Sequence, residues 1–368
     1  MKAIVLVTIV LAVSAQACKD TTASGFRAPQ NFCAGDLIFE ENFNDLDTNK
    51  WRLENTLAGG GNWEFQWYSP SRRNTFTQSG NLNIKPSLTA DEFGESFLTR
   101  GIAKIPANQC TWSDFWGCER VGTPDHIINP IRSGQIKTIN SFSFKYGRVE
   151  VKAKMPAGDW IWPAIWLLPK KSVYGGWPRS GEIDMVEARG NRYLFSGSTN
   201  VGVEQVGQTL HFGPSPSQNG WPTSHYEKQS ATNSGFDKGF HLYQLEWTKK
   251  SLTFKIDNVV TGRIDAVKDG GFFKRGGFPI NQVNPWAKGT IMAPFDEEFY
   301  LIINNAVGGT NYFNDAFVNR GSGKPWKNTS PYAPRDFWNR HRDWLPSWNL
   351  KEGNDAAIQV DYVRVWAV

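Results

Sequence analysis

The sequence predicts an all-β fold, two antiparallel sheets packed as a jelly-roll sandwich. Three observations predict it. Apolar and polar residues alternate in short runs, Gly, Pro, Asn and Ser punctuate those runs, and no amphipathic stretch reaches ordinary helix length. The clearest run is 143–155, where Val149, Val151, Ala153 and Met155 alternate with Arg148, Glu150, Lys152 and Lys154, so that one face is buried and the other wet. Residues 81–85, 242–248, 252–257, 299–304 and 359–366 follow the same grammar and read as further strands. With no internal repeat, low-complexity tract or linker, residues 18–368 read as one domain.

The first 17 residues stand apart. Lys2 precedes an apolar run from Ala3 to Val13, followed by Ala15-Gln16-Ala17, the pattern of a secretory signal peptide. The run is too short to span a bilayer, and no later stretch approaches membrane length. A secreted, extracellular chain is therefore expected, with no membrane partner. In an oxidising compartment the four cysteines, Cys18, Cys33, Cys110 and Cys118, form disulfides. Three connectivities are possible, and the spacing favours the local pairs Cys18–Cys33 and Cys110–Cys118. Asn328-Thr329-Ser330 adds a glycosylation sequon. Forty Lys and Arg against 35 Asp and Glu leave a net charge of only +5, without a run of five like charges, which argues against nucleic acid as a partner. A monomer is expected.

The chemistry concentrates in Gly181-Glu182-Ile183-Asp184-Met185-Val186-Glu187, a strand-like segment with three acids in six residues. Alternation puts Glu182 and Asp184 on one face but turns Glu187 to the other. One extra residue at Met185 or Val186, a bulge, brings all three carboxylates to the same side, and bulges are common beside active sites. A retaining glycosidase needs such a set: one carboxylate attacks the anomeric carbon while another, about 5 to 5.5 Å away, protonates the leaving oxygen. Asp184 between them can share a proton and hold their pKa values apart. The alternative is a solvated acidic stripe, or a cation site built from oxygen ligands.

The segment before these acids is crowded with Trp160, Trp162, Trp166 and Trp177, in a chain with 17 Trp. Each indole N–H wants a partner, so so many tryptophans point beyond core filling to flat surfaces for sugar rings in a concave cleft. About half of the four are expected to meet ligand, with Trp166, inside an apolar run, the first candidate for the core.

Trp162-Pro163-Ala164-Ile165-Trp166-Leu167-Leu168-Pro169, followed by the acid motif, resembles glycoside hydrolase family 16, whose laminarinase branch carries the extra residue before the last Glu. Phe142 to Val151, Leu210-His211-Phe212-Gly213, Val307-Gly308-Gly309 and Val360 to Trp366 extend the likeness over nearly all of residues 18–368. Tyr174 to Gly181 and the cysteine-bounded insert before Ile127 to Arg132 are similar to the invertebrate subgroup of glucanases and β-1,3-glucan-binding proteins.

The resemblance implies that Glu182 is the nucleophile, Glu187 the general acid/base and Asp184 a supporting carboxylate, with no cofactor needed for catalysis. It implies endo-hydrolysis of β-1,3-glucan with retention, open to transglycosylation when a sugar replaces water in the second step. His211 matches a family histidine near the acids, and Arg72 resembles an arginine of the glucan cleft. Asn305, just before the Gly308-Gly309 turn, is a further candidate sugar contact, with turn chemistry as its alternative. Asp361 matches an acid that holds a structural calcium in many members; a bond to a backbone N–H would equally explain it. Some members of the subgroup are innate-immune recognition proteins that have lost the catalytic acids and carry an added N-terminal carbohydrate-binding module. Here both glutamates are present and the catalytic-domain pattern begins near Asp36, so an enzyme is expected, with recognition without turnover as the alternative.

Overall fold

The computed structural model describes residues 20–368, so the expected signal peptide and Cys18 lie outside the described residues. Two large sheets dominate. The strands that matter for the site are β1 (Ile161–Pro169), β2 (Glu182–Ala188), β3 (Gln205–His211), β4 (His225–Gln229) and β5 (Phe299–Val307). In the nine-stranded sheet they run antiparallel in the order β5-β1-β2-β3-β4.

The eight-stranded sheet contains Gly147–Lys154, His241–Trp247, Ser251–Ile256 and Ile358–Trp366. In Gly147–Lys154 every odd-numbered residue is buried and every even-numbered one half-exposed, as the alternation predicts. The inner faces of both sheets meet in one apolar layer that joins Val149, Val151, Leu245 and Val363 on one side to Ile165, Ile183, Leu210 and Ile303 on the other.

The 143–155 run departs from its expectation. It is two strands in opposite sheets: Ser143–Lys145 pairs with Thr22–Ser24 and touches β5, whereas Gly147–Lys154 lies in the other sheet. Tyr146, at φ 59°, turns the chain between the layers. The apolar phase slips at this corner, from even-numbered Phe142, Phe144 and Tyr146 to odd-numbered Val149, Val151 and Ala153, which a single strand over 143–155 would not show.

Tryptophan also distributes differently. Trp51, Trp247, Trp326, Trp344 and Trp348 are core residues, and a protein oxygen receives each indole N–H: Glu41 Oε2 and the carbonyls of Phe295, Gly309, Phe337 and Asp159. The partner requirement is met inside the fold, so a high Trp count is no measure of ligand surface. A second apolar cluster, built around Trp160, Trp326, Phe337, Trp344 and Trp348, backs the Ile161 end of β1. Its helical part, Ala333–Asn339 and His341–Trp344, carried no periodic signal in a segment rich in Arg and Trp.

Leu245→Ala, a cavity at the centre of the eight-stranded sheet, is expected to cost about 2–5 kcal/mol in denaturant unfolding. A loss under about 1 kcal/mol would mean that the inter-sheet layer is not close-packed there.

Candidate active site

The acids lie where β2 departs from regular pairing. Against β3, Asp184 opposes Thr209 and Glu187 opposes Gly207, so two residues, Met185 and Val186, face Gln208 alone. Against β1, Val186 opposes Ile165 and Asp184 opposes Trp166, which leaves Met185 as the extra residue. This is the expected bulge. Met185 and Val186 are both fully buried in the inter-sheet core, and the bulge's freed Met185 carbonyl accepts from Gln208 Nε2 at 3.0 Å. The apolar pair therefore anchors the irregularity from below while Glu182, Asp184 and Glu187 face outward together. Gly181, at φ +83°, starts the strand; a Cβ there would lie 2.9 Å from the Phe295 ring.

Each glutamate takes an indole N–H. Trp162 Nε1 donates to Glu187 Oε1 at 3.0 Å, and Trp177 Nε1 donates to Glu182 Oε2 at 3.2 Å. The Trp162 ring stacks on Tyr312 at 4.1 Å with the planes nearly parallel, which fixes its direction. Trp177 stays 46% exposed. Trp166 is on the same face, half-buried, with Nε1 2.6 Å from Asn304 Oδ1. The expectation that Trp166 leads into the core is thus corrected: Trp160 is the buried one, and the even-numbered residues of β1 face the acids.

His211 opposes Glu182 across β2 and β3. Its Nε2 lies 3.3 Å from Asp184 Oδ2 and 3.7 Å from Glu182 Oε1. Asn219 settles which nitrogen carries the proton. The Asn219 Oδ1 accepts from the Trp221 backbone N–H, so its Nδ2 donates to His211 Nδ1 at 2.9 Å and leaves the proton on Nε2, the nitrogen on the side of the carboxyls. Sequence reasoning missed Asn219, and equally Glu64, a buried acid held by Gln66 Nε2, Asn62 Nδ2 and the Tyr68 hydroxyl. Burial raises the Glu64 pKa, the three hydrogen bonds oppose this, and the charge of Glu187 adds to the rise.

Electrostatics crowd the site with protons. Burial pushes Glu182 up to about 8; the charge of Asp184 adds to the rise and His211 opposes it. Burial raises Asp184 well above the carboxylate range, and Glu187 adds to this. Asp184 Oδ2 is buried and receives no aligned hydrogen bond, so an ionised Asp184 would be poorly solvated. Burial and mutual repulsion therefore both favour a proton on Glu182 and on Asp184. Glu182, Asp184 and His211 also place one ligand atom each within 4.8 Å of one another, a set that could hold a cation in place of those protons.

Residues 109–284 match the family model of glycosyl hydrolases family 16. A β-1,3-glucan-binding protein of Penaeus monodon is 46% identical over 342 residues, covering 90% of this chain and 90% of that protein. The chain belongs to glycosyl hydrolase family 16. Beta-1,3-glucan-binding protein 1 of Manduca sexta is 34% identical and covers 95% of this chain and 68% of its own length. Among solved structures, the laminarinase from Rhodothermus marinus superposes with a TM-score of 0.55 over 90% of this chain and 97% of that one. At 23% identity this likeness is one of fold.

Other expected site residues fall elsewhere in this family 16 fold. Asn305 is fully buried on the inner face of β5, where Nδ2 donates to the carbonyls of Ile84 and Ala356 at 2.9 Å. It is a structural bridge, and its neighbour Asn304 holds the outward position. Arg72 is exposed and its guanidinium reaches the Leu46 carbonyl at 3.5 Å rather than any of the acids. Asp361 Oδ2 pairs with Lys152 Nζ at 2.7 Å, both side chains partly exposed. Cys110 and Cys118 are bridged as expected. The amide of Asn328 donates to the Phe313 carbonyl at 3.0 Å, an engagement that a glycan on that nitrogen would disturb.

The raised pKa has a stability consequence. Folding favours the protonated form of Glu182, so its contribution is fully present below pH 4.5 and is lost as pH rises through about 8. Glu182→Gln, neutral at every pH, is expected to match the wild type near pH 4 and to exceed it by about 1–4 kcal/mol at pH 9. Melting temperatures measured across that range check this; parallel curves for the two proteins would show that Glu182 is not held protonated by its surroundings.

Proposed function

We propose that this chain is a secreted, retaining endo-β-1,3-glucanase, formed by one domain over residues 18–368 behind a cleaved signal peptide. The observation that carries the reading is the bulge that turns Glu182, Asp184 and Glu187 to one face, with an indole N–H on each glutamate. A surface that only bound sugar would gain nothing from one buried and two half-buried carboxyls that repel one another.

In this reading Glu182 attacks the anomeric carbon while Glu187 protonates the departing glycosidic oxygen. Glu182 must be ionised to attack, so attack requires loss of the proton that burial favours there, while Asp184 keeps its own. Trp177 and His211 Nε2–H then face a carboxylate and stabilise it. After the aglycone leaves, Glu187 takes a proton from the entering water, which cleaves the glycosyl-enzyme ester and returns Glu182. A sugar hydroxyl in place of water would give transglycosylation. Family 16 chemistry of this kind needs no catalytic cofactor.

The curated relatives favour a second reading, recognition of β-1,3-glucan with little turnover, since those at 46% and 34% identity are named as glucan-binding proteins. One assay separates the two. Reducing-end release from a soluble β-1,3-glucan is expected from the wild type and to fall by about 10³-fold or more in Glu182→Gln, with polymer binding retained. Binding without release by the wild type would make the protein a recognition module; equal release by both proteins would remove Glu182 from the chemistry.

A further inference from the structure

Away from the acids, three aromatic side chains are displayed to solvent as one cluster: Trp63 at 46%, Phe115 at 42% and Trp116 at 69% exposure. They come from two loops. The Trp63 ring meets Phe115 edge-on at 5.6 Å and lies tilted against Trp116 at 6.3 Å. All three hold φ between 54° and 58°, a left-handed conformation that bulky residues seldom adopt. Such outliers persist where the surrounding structure imposes them.

The surroundings do impose them. Residues 110–118 are closed by the Cys110–Cys118 disulfide, and Thr56 Oγ1 donates to the Trp112 carbonyl at 2.7 Å. Leu57 N–H donates to the Gly117 carbonyl at 2.8 Å, and Thr111 Oγ1 to the buried Glu54 at 3.0 Å. A loop fastened this firmly, with its largest apolar rings left outside, is built to present them. Exposed apolar rings in a fixed array mark an interaction surface.

The occupant follows from where the cluster sits. Asn62, next to Trp63, accepts from Asn311 Nδ2 at 2.7 Å, and its carbonyl accepts from the Thr310 N–H at 2.9 Å. Tyr312, the residue after Asn311, stacks on Trp162, whose indole holds Glu187. The platform is thus the continuation of the Glu187 side of the cleft, joined to it by two loops in contact. We propose that Trp63, Phe115 and Trp116 form a distal platform for the β-1,3-glucan chain whose inner residues occupy the cleft. The indole faces stack on the C–H faces of successive sugar rings. The inference rests on the cleft being a glucan site. It adds that affinity grows with chain length beyond the residues next to the acids.

The test uses Glu182→Gln, so that ligand survives, with and without Trp63→Ala plus Trp116→Ala. Calorimetry compares soluble β-1,3-glucan polymer with a β-1,3-linked trisaccharide, and sedimentation reports the oligomeric state. The expected result is a Kd for polymer raised about tenfold, with the trisaccharide Kd changed less than about twofold and the melting temperature kept. If the double variant does not fold, Trp116→Ala alone gives the same comparison at the most exposed ring. An unchanged polymer Kd beside intact trisaccharide binding overturns the platform and leaves the cleft reading standing. So does a shift to a smaller species with polymer binding unchanged, which would make the cluster a contact between copies. If the Glu182→Gln protein binds neither ligand, the cleft reading fails and the platform falls with it.

Discussion

The bulge at Met185 and Val186 is the constraint on which the rest of the site depends. A regular strand would send Glu187 into the inter-sheet core, where an unpaired carboxyl costs far more than a missing ladder hydrogen bond. The extra residue removes that conflict and creates a smaller one, an unpaired buried carbonyl. Gln208 resolves it by donating to Met185, and Thr261 in turn donates to Gln208 from the opposite sheet. Both sheets therefore hold the irregularity. The site is as rigid as the core beneath it, which is what a pair of carboxyls meeting opposite sides of one bond requires.

That arrangement opposes stability to chemistry. Packing three acids on one face raises the Glu182 and Asp184 pKa values through burial first and mutual repulsion second, with His211 opposing the rise at Glu182. The fold accommodates this with indole donors on the outer glutamates and with a fixed imidazole tautomer, both of which act on the charged forms. Asp184, in the middle, has the fewest donors and is the natural holder of the proton. The same scarcity of hydrogen bonds that would be a defect elsewhere divides the labour among the carboxyls here.

Much of this was legible in the sequence because strands obey a parity rule. Counting by two from Glu182 exposes the misplaced Glu187, and the alternation of 147–154 survives unchanged in the fold. The same rule placed against a neighbour would have excluded Asn305: it pairs with Pro163 on the inner face, while Asn304 pairs with Ala164 on the side of the acids. What stayed hidden is what parity cannot carry. Glu64, Gln208 and Asn219 act through contacts with no local signature, whereas the corner at Tyr146 does leave one, a slip of the apolar phase from even to odd positions. Tryptophan misled in the other direction, since composition counts indoles without saying whether a carbonyl inside the fold already receives their N–H.

Aromatic residues in this chain do three physically distinct things, and position rather than type decides which. Trp344 and Trp348 fill a core and spend their N–H on backbone carbonyls. Trp162 and Trp177 direct theirs at glutamates, so that ring and N–H both serve the site. Trp63 and Trp116 are held outside it by strained backbone and a disulfide-closed loop. The outer cluster is linked to the acids through Asn62, Asn311, Tyr312 and Trp162, and a polymer is the ligand for which such an extended surface makes sense. A single sugar would need only the part beside the acids; a chain that must be held at several residues while one bond is addressed can use all of the surface that the strain keeps on display.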